Sequence, residues 1–336
     1  MANYLLIDTA NMFFRARHSV YKNADSWEKV GYALHIVLSS INKVQRKFNP
    51  DHVMFALEGR SWRKDFYAPY KKNRSDLRAA MTEKEKEEET LFWETFDNFN
   101  QYLAEETNCS VIRHSEAEAD DIIARWIHLH PSDNHTIVSS DKDFYQLIAP
   151  NVQQYNGITD NLITLEGIFD DKGKRVIDKK TKEEKPAPVP EWELFEKCMR
   201  GDTSDNVFSA YPGVRKKGSK NKVGLLEAYA DKDTKGYNWN NLMLQRWVDH
   251  NGEEHRVIDD YKRNKMLVDL TAQPDDIKDK VDIAIYQSAS AKVTEQVGTR
   301  FIKFCAKFEL TKMSENAANT AKWLNASYKG VLHDNS

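Results

Sequence analysis

Short apolar segments recur along the first half of the chain, and most of them end in an acidic residue. Such short runs, bounded by polar residues, are typical of buried strands. The predicted strands are Tyr4 to Asp8, Val53 to Glu58, Ser110 to His114 and Thr136 to Asp141. Helical patterns lie between them, at residues 27–48 and 118–130. Because strands alternate with helices, the pattern predicts an α/β fold with a central, mostly parallel sheet flanked by helices.

The rest of the chain is predicted to be mostly helical. Residues 75–106 are rich in helix formers, and aromatic side chains recur there at helical spacing, which favours a packing surface. Residues 170–190 are charged and end in a proline-rich run, which indicates a loop. We therefore divide the chain into an α/β core at 1–190 and a helical C-terminal part at 191–336.

Charge is segregated along the chain although its total is nearly balanced. The 336 residues carry a formal net charge of −3, which argues against unspecific binding of polyanions. Residues 60–74, however, hold six Lys/Arg and one acid, and residues 212–222 hold five Lys/Arg and no acid. Affinity for nucleic acid would have to come from these stretches.

Other sequence signals narrow the possible classes of protein. The three cysteines are far apart, which predicts neither a zinc site nor a disulfide framework. The N-terminus shows no signal-peptide pattern, and no apolar run is long enough to cross a membrane. We therefore expect a cytoplasmic protein that does not associate with membranes. We also expect a monomer.

Acidic residues cluster where predicted strands end or helices begin. They are Asp8, Glu58, Glu118, Asp120, Asp121, Asp141, Asp143, Asp202 and Asp205. The carboxyl ends of parallel strands meet at one edge of a sheet, so we expect these acids to converge. Two carboxylates about 4 Å apart repel by roughly 4 kcal/mol at an effective dielectric near 20. Cations are therefore needed, and an all-oxygen site suits Mg²⁺ or Mn²⁺.

Each acidic cluster alone has a simpler explanation. Acids at 118–121 open a predicted helix, and those at 141–143 are typical of an Asx turn with a helix N-cap. Residues 201–206 are typical of a polar turn. Only the placement of the whole set favours a metal site. With no Cys/His nucleophile arrangement, H-E-x-x-H motif or P-loop in the sequence, metal-activated water is the chemistry that remains.

The two basic stretches differ in character. Residues 60–74 interleave cations with aromatic side chains, which suits single-stranded or frayed nucleic acid, although a solvated loop is the simpler alternative. Residues 212–224 are punctuated by glycine and precede a helical pattern, which favours contacts to a duplex backbone. The candidate binding cations are Arg60, Arg63, Lys64, Lys71, Lys72, Arg74, Arg215, Lys216, Lys217, Lys220 and Lys222.

The order of these motifs resembles the 5′ nucleases, a family of flap endonucleases, polymerase-associated 5′→3′ exonucleases and phage 5′ nucleases with ribonuclease H activity. The matching motifs are D-x-x-N-x-x-F-R at 8–15, W-R-K-D-F at 62–66, Y-K-K-N-R at 70–74, E-A-D-D at 118–121, S-S-D-x-D-F at 139–144 and G-D-x-x-D-N at 201–206. The resemblance covers most of the chain to about residue 270.

The resemblance implies a two-metal phosphodiesterase with a PIN-like core, a helical arch at about 60–106 and a helix-three-turn-helix at about 199–230. The first of two Mg²⁺ ions, which Mn²⁺ could replace, would be served by Asp8, Glu58, Glu118, Asp120 and Asp121. The second would be served by Asp141, Asp143, Asp202 and Asp205. Lys71 and Arg74 would contact the scissile phosphate, and Arg15 would join the cations that bind nucleic acid.

The sequence departs from the family pattern at two places. Glu58 stands where the family usually has Asp, so its longer side chain changes the reach of that carboxylate. The Lys-rich turn at 212–224 lacks the usual Gly-hydrophobic-Gly centre, which puts in doubt the monovalent cation that the family binds there through backbone oxygens.

By resemblance, we expect an enzyme that removes RNA primers and 5′ flaps during DNA replication. Its substrates would be DNA and RNA–DNA duplexes with 5′ flaps or nicks, and a single-stranded-DNA-binding protein and a replication clamp would be its partners. A phage protein of this kind would act in the host cytoplasm. Two alternatives stay open: a PIN-like single-strand ribonuclease, and a junction-binding protein without catalysis.

Overall fold

The computed structural model describes residues 1–19, 26–291 and 293–330. Its main sheet has seven strands in the order β3-β2-β1-β4-β5-β6-β7, of which the first five are parallel and the last two antiparallel. These strands are β1 Asn3–Asp8, β2 His52–Leu57, β3 Ser110–Arg113, β4 Asn134–Val138, β5 Val152–Asn156, β6 Asn161–Thr164 and β7 Gly167–Phe169. A separate hairpin pairs β8 Arg246–Val248 with β9 Glu254–Arg256.

Helices account for most of the remaining described chain. The first half contains α1 Thr9–Ser19, α2 Ser26–Phe48, α3 Arg63–Phe66, α4 Lys72–Ala79, α5 Glu83–Glu106, α6 Ala119–Leu129 and a 3₁₀ helix at Lys142–Leu147. The second half contains α7 Pro190–Arg200, α8 Leu225–Ala230, α9 Tyr237–Met243, α10 Val257–Val268, α11 Asp275–Ala289, α12 Val297–Lys307, α13 Thr311–Glu315 and α14 Ala317–Leu324. No helix among the described residues is long and apolar enough to cross a membrane.

The structure groups the chain into two compact units. The first contains residues 1–61, 81–187 and 274–336, and the second contains residues 62–80 and 188–273. The C-terminal helices α12 and α14 thus belong to the unit that carries the main sheet. The segment expected to form an arch, residues 60–106, contributes α3 and α4 to the second unit and α5 to the first.

Central strands of the first unit are buried on both faces. Leu5, Leu6 and Ile7 of β1 are fully buried, as expected for a parallel strand covered by helices on either side. The core contains Phe96 and Phe99 of α5 together with apolar residues of α1, α2, α12 and α14. These findings confirm the predicted parallel sheet with flanking helices and the packing role of the α5 aromatics.

Helices dominate the second unit, whose core is formed mainly by α7, α8, α9 and α10. Phe195, Leu225 and Leu242 are fully or almost fully buried there. On α10, Asn264 donates from Nδ2 to the Cys198 and Phe208 backbone oxygens at 2.8 and 2.7 Å, which anchors the chain after α7. A loop of residues 201–224 connects α7 to α8.

Candidate metal centre and nucleic-acid interface

Sheet topology gathers acidic residues at one edge of the first unit. Strands β3, β2, β1 and β4 are successive neighbours, and all run parallel. Asp8 is the last residue of β1, Glu58 follows β2, and Asp141 follows β4 after a short turn. Glu118 is the N-cap of α6, the helix after β3. The four carboxyl ends therefore bring acids from four separate parts of the sequence to the same edge.

One compact acidic cluster lies at the start of α6. Carboxylate oxygens of Glu118, Asp120 and Asp121 lie within 4.8 Å of one another. Glu118 is 3% exposed and Asp121 is fully buried. Hydrogen bonds fix them, since Ser61 Oγ donates to Glu118 Oε2 at 2.6 Å and the Glu118 backbone N–H donates to Asp121 Oδ2 at 3.1 Å. Three hard oxygen donors held at this spacing fit a divalent cation.

Glu58 lies beside this cluster. Its Oε2 accepts a hydrogen bond from the Ala119 backbone N–H at 3.3 Å, in the first turn of α6. The following residue, Gly59, donates its backbone N–H to Ala117 O at 2.9 Å. A Cβ atom on Gly59 would lie 1.9 Å from His114 O, so only glycine permits this close approach. The end of β2 is thereby fixed against the turn that precedes α6.

A second set of contacts joins the ends of β1 and β4. Ser139 Oγ donates to Asp8 Oδ2 at 2.8 Å, and Asp8 itself is 8% exposed. Ser139 Oγ also accepts from the Asp141 backbone N–H at 3.1 Å. Asp141 in turn accepts from the Asp143 backbone N–H at 2.9 Å and caps the 3₁₀ helix. These contacts link Asp8 through Ser139 to Asp141 and, beyond it, to Asp143.

The remaining predicted metal ligands belong to the second unit. Asp202 pairs with Lys197 of α7 at 2.6 Å and accepts hydrogen bonds from the Ser204 backbone and hydroxyl. Burial by itself would raise the pKa of Asp202, but the Lys197 charge and these hydrogen bonds lower it to about 2. The turn begins at Gly201, whose positive φ of 73° and close approach to Val207 O favour glycine.

Asp205 is surrounded by the basic segment at 70–74. Arg74 pairs with its Oδ1 at 2.6 Å, Tyr70 donates its hydroxyl to Oδ2 at 3.1 Å, and Lys71 Nζ lies 3.7 Å away. Asn73 donates from Nδ2 to the backbone oxygens of the same turn. The two cations expected to contact a phosphate are therefore held next to an acid expected to bind metal.

Within each unit, the structure groups the predicted ligands into smaller sets: Glu58 lies beside Glu118, Asp120 and Asp121, and Asp8 is linked through Ser139 to Asp141 and Asp143. The predicted ligands of the first unit are Asp8, Glu58, Glu118, Asp120, Asp121, Asp141 and Asp143, and those of the second are Asp202 and Asp205. That the second pair joins Asp141 and Asp143 at one ion stays a prediction from the resemblance. The donor set consists of carboxylate oxygens, which fits Mg²⁺ or Mn²⁺ and not a thiophilic metal.

The predicted nucleic-acid cations fall into different environments. Arg60, Lys64, Lys72 and the five cations of residues 215–222 are exposed. Arg15 is half-buried against Gly157, and burial lowers its pKa while the nearby Asp160 opposes that shift.

The prediction for Arg63 is wrong for this structure. Its side chain is 1% exposed, stacks on Trp62 and donates from Nε to Leu267 O at 2.8 Å. The side chain is therefore not available to a phosphate, because W-R-K-D-F folds as a helical turn with the arginine facing inward.

Three supporting residues were missed from the sequence: Ser61, Ser139 and Lys197. Ser139 lies within the S-S-D-x-D-F motif, so its proximity to the acids was a usable signal. Lys197 stands five positions before Asp202 in the last turn of α7, and only the fold after the helix shows that the two meet. Ser61 had no signal, since its partner Glu118 is distant in sequence.

The chain has a mostly parallel sheet with acids along its carboxyl edge, and the class of resolvase-like α/β domains is the one that its matching family model describes. Within this class, the chain belongs to the 5′-3′ exonuclease family, because the family model of the 5′-3′ exonuclease N-terminal, resolvase-like domain matches residues 3–183.

Several curated relatives are similar in sequence. DNA polymerase I of Rhizobium leguminosarum is 30% identical over 278 residues, which cover 80% of this chain and 23% of the polymerase. Flap endonuclease Xni of Shewanella loihica is 31% identical over 170 residues, which cover 49% of this chain and 60% of that protein. The 5′-3′ exonuclease of Mycoplasmopsis pulmonis is 27% identical, with 67% of each chain covered. The chain therefore spans less than two thirds of the length of the first two relatives.

Solved structures of bacteriophage T5 proteins share the fold. A flap endonuclease variant in complex with DNA and metal ions has a TM-score of 0.56 at 18% identity, covering 95% of this chain and 99% of that one. A T5 protein co-crystallised with metal ions has a TM-score of 0.58 at 20% identity, covering 86% and 100%. At this level of identity the likeness establishes the fold.

Proposed function

We propose that this protein is a structure-specific, divalent-metal-dependent 5′ nuclease. It would act as a 5′→3′ exonuclease or flap endonuclease with ribonuclease H activity, and remove RNA primers and 5′ flaps during DNA replication. The observation that carries the proposal is the gathering of acids from four neighbouring strand ends at one sheet edge. The family membership and the named activities of the relatives agree with it.

The acids would hold two Mg²⁺ ions, with Asp8, Glu58, Glu118, Asp120 and Asp121 serving one and Asp141, Asp143, Asp202 and Asp205 serving the other. When bound, such a pair activates the attacking water and stabilises the leaving oxygen. Ser61 and Ser139 orient the carboxylates through the hydrogen bonds described above. Fixed orientation of ligands strengthens metal binding, since the site needs little rearrangement when it is loaded.

Lys71 and Arg74 would offset the negative charge that develops on the transferring phosphate. Both cations are held near Asp205 in the second unit, so a phosphate there would meet a preformed pair of positive groups. The exposed cations at 215–222 would bind the duplex backbone, which neutralises phosphates without reading sequence.

Replacement of Asp141 and Asp143 by Asn tests the mechanism. We expect cleavage of a 5′-labelled flap duplex in Mg²⁺ to fall by at least a hundredfold, while flap binding changes little, because the amides keep the size of the side chains but lose their charge. Rates would be measured under single-turnover conditions and binding by fluorescence anisotropy. Products should carry a 5′-phosphate and a 3′-hydroxyl.

A matched control is the double variant Asp275→Asn, Asp276→Asn, which removes two exposed acids from the first turn of α11. It should cleave like the unaltered protein. Full cleavage by the Asp141/Asp143 variant would refute the mechanism. Preferential cutting of plain single-stranded RNA would favour the PIN-like alternative, and flap binding with no metal-dependent turnover would favour a junction-binding protein.

The assignments of partners and location are part of the same proposal. A single-stranded-DNA-binding protein and a replication clamp are expected partners for primer removal, and a cytoplasmic monomer is the expected form. A monovalent cation in the 212–224 turn is expected only if that turn offers backbone oxygens as the family pattern does.

A further inference from the structure

The basic loop, defined as residues 212–224, closes through a narrow neck. At this neck, the Leu225 backbone N–H donates to Arg215 O at 2.9 Å. A Cβ atom on Gly224 would lie 2.3 Å from Gly218 N, and one on Gly218 would lie 2.7 Å from Gly224 N. Neither position has room for a side chain. The two sides of the loop are thus held in direct backbone contact.

One acid, Glu227 in the first turn of α8, contacts this neck. Its Oε1 and Oε2 accept from the Gly218 backbone N–H at 3.0 and 3.2 Å. Hydrogen bonds from backbone N–H groups, its own first and then those of Gly218 and Gly224, lower the pKa of Glu227. Glu227 as a residue is half-buried, whereas all five cations of the loop are exposed. Its side chain reaches the loop from the first turn of α8.

We propose that Glu227 is a positioning residue for duplex binding, which fixes Gly218 and so sets the placement of the loop cations against a nucleic-acid backbone. The inference rests on the proposed function. Glu227 does not contact the phosphates itself, and a carboxylate near phosphates would only repel them. Its two possible effects thus have opposite signs: a positioning acid strengthens binding, and an incidental acid weakens it.

The charge of the loop cations explains why the loop needs a contact that fixes its backbone. Five positive side chains within residues 215–222 repel one another, which favours an open and variable loop. Lys216 Nζ lies 5.5 Å from the centre of the Trp192 ring, which holds one cation at the rim. The Glu227 carboxylate offsets part of the repulsion and ties the backbone at the same point. A preformed loop loses less conformational entropy when it binds.

Three variants of the 336-residue chain test this role. Glu227→Ala removes the acceptor, Glu227→Gln keeps an oxygen acceptor without the charge, and Glu254→Ala is the control. Glu254 is exposed and pairs with Arg246 in the β8–β9 hairpin of the same unit, so its loss changes the net charge equally. Dissociation constants for a 5′-flap duplex would be measured by anisotropy at several salt concentrations, together with single-turnover rates at saturating substrate.

We expect Glu227→Ala to weaken binding about tenfold, the size of a lost charge-assisted hydrogen bond, with the saturated rate within about twofold of normal. Glu227→Gln should bind within about threefold of the unaltered protein, because it retains the contact to Gly218. Glu254→Ala should bind equally well or slightly more tightly.

Binding by Glu227→Ala that equals or exceeds that of the unaltered protein would overturn the inference. Circular dichroism and the thermal midpoint show whether the variant folds. If Glu227→Ala does not fold, Glu227→Asp decides, because it keeps the charge but shortens the reach to Gly218. Its binding should weaken about threefold, and unweakened binding would reject the role. If the unaltered protein neither binds nor cleaves the flap duplex, the proposed function would be refuted, and this inference with it.

Discussion

The acidic edge of the first unit and the basic loop of the second are built in different ways. Glu118, Asp121 and Asp8 are almost completely buried, and each is fixed by a hydrogen bond: Glu118 to Ser61, Asp121 to the Glu118 backbone and Asp8 to Ser139. The loop cations are exposed, and their placement depends on a few backbone contacts at the neck. Chemistry on a small group of atoms needs fixed ligands, whereas a backbone of repeating phosphates tolerates adaptable cations.

Arg63 breaks this pattern, because it is a buried cation in the second unit. Replacing it by Ala should lower the free energy of unfolding of that unit by about 3 kcal/mol, since the change leaves a cavity and removes the donor to Leu267 O. Urea unfolding followed by hydrogen exchange in α10 would measure the loss. The neighbouring exposed Lys64, replaced by Ala, should leave stability unchanged. An equal, small effect for both variants would contradict the burial of Arg63.

Acidification should destabilise the two units over different pH ranges. His52 and His135 lie near the amino ends of β2 and β4, and burial lowers the pKa of each to about 4. Above pH 6.5 neither the folded nor the unfolded state is protonated. As pH falls from about 6.5 towards 4, the unfolded state binds protons that the folded state does not, so each of these histidines should cost the first unit about 3 kcal/mol of unfolding free energy by pH 4.

Because of Asp202, the stability of the second unit should depend on pH over a different range. Its lowered pKa stabilises the folded state above about pH 3.8, and this contribution is lost as pH falls towards 2. Hydrogen exchange at pH 7, 5 and 3 should thus show loosening of β2 and β4 before that of α7. The variant His52→Phe should reduce the loss in the first unit between pH 6.5 and 4. Simultaneous loosening of both units at pH 5 would contradict the assignment of these pH dependences to the histidines of the first unit and to Asp202 of the second.

The sequence predicted the acidic edge better than it predicted its surroundings. Strand-end acids could be located because a parallel sheet brings its carboxyl ends together regardless of loop detail. The inward turn of Arg63 was not predictable, since its partner is a backbone oxygen about two hundred residues away. The same holds for α14, where Trp323 donates from Nε1 to Asn42 Oδ1 at 2.7 Å and completes the core of the first unit. Contacts between distant segments carry no local signal.

Of the three predictions in this comparison, replacement of the exposed cations of the basic loop should have the smallest effect. Replacing both Lys217 and Lys220 by Ala should weaken flap binding about three- to tenfold and reduce the slope of log affinity against log salt by about 2, because each lysine neutralises about one phosphate. Thermal stability should not change, since both side chains are exposed. The exposed pair Lys179 and Lys180, outside the loop and in the first unit, is the matched control. An unchanged salt slope in the loop variant would mean that these lysines do not contact phosphates, and adaptable loop cations would then not explain duplex binding.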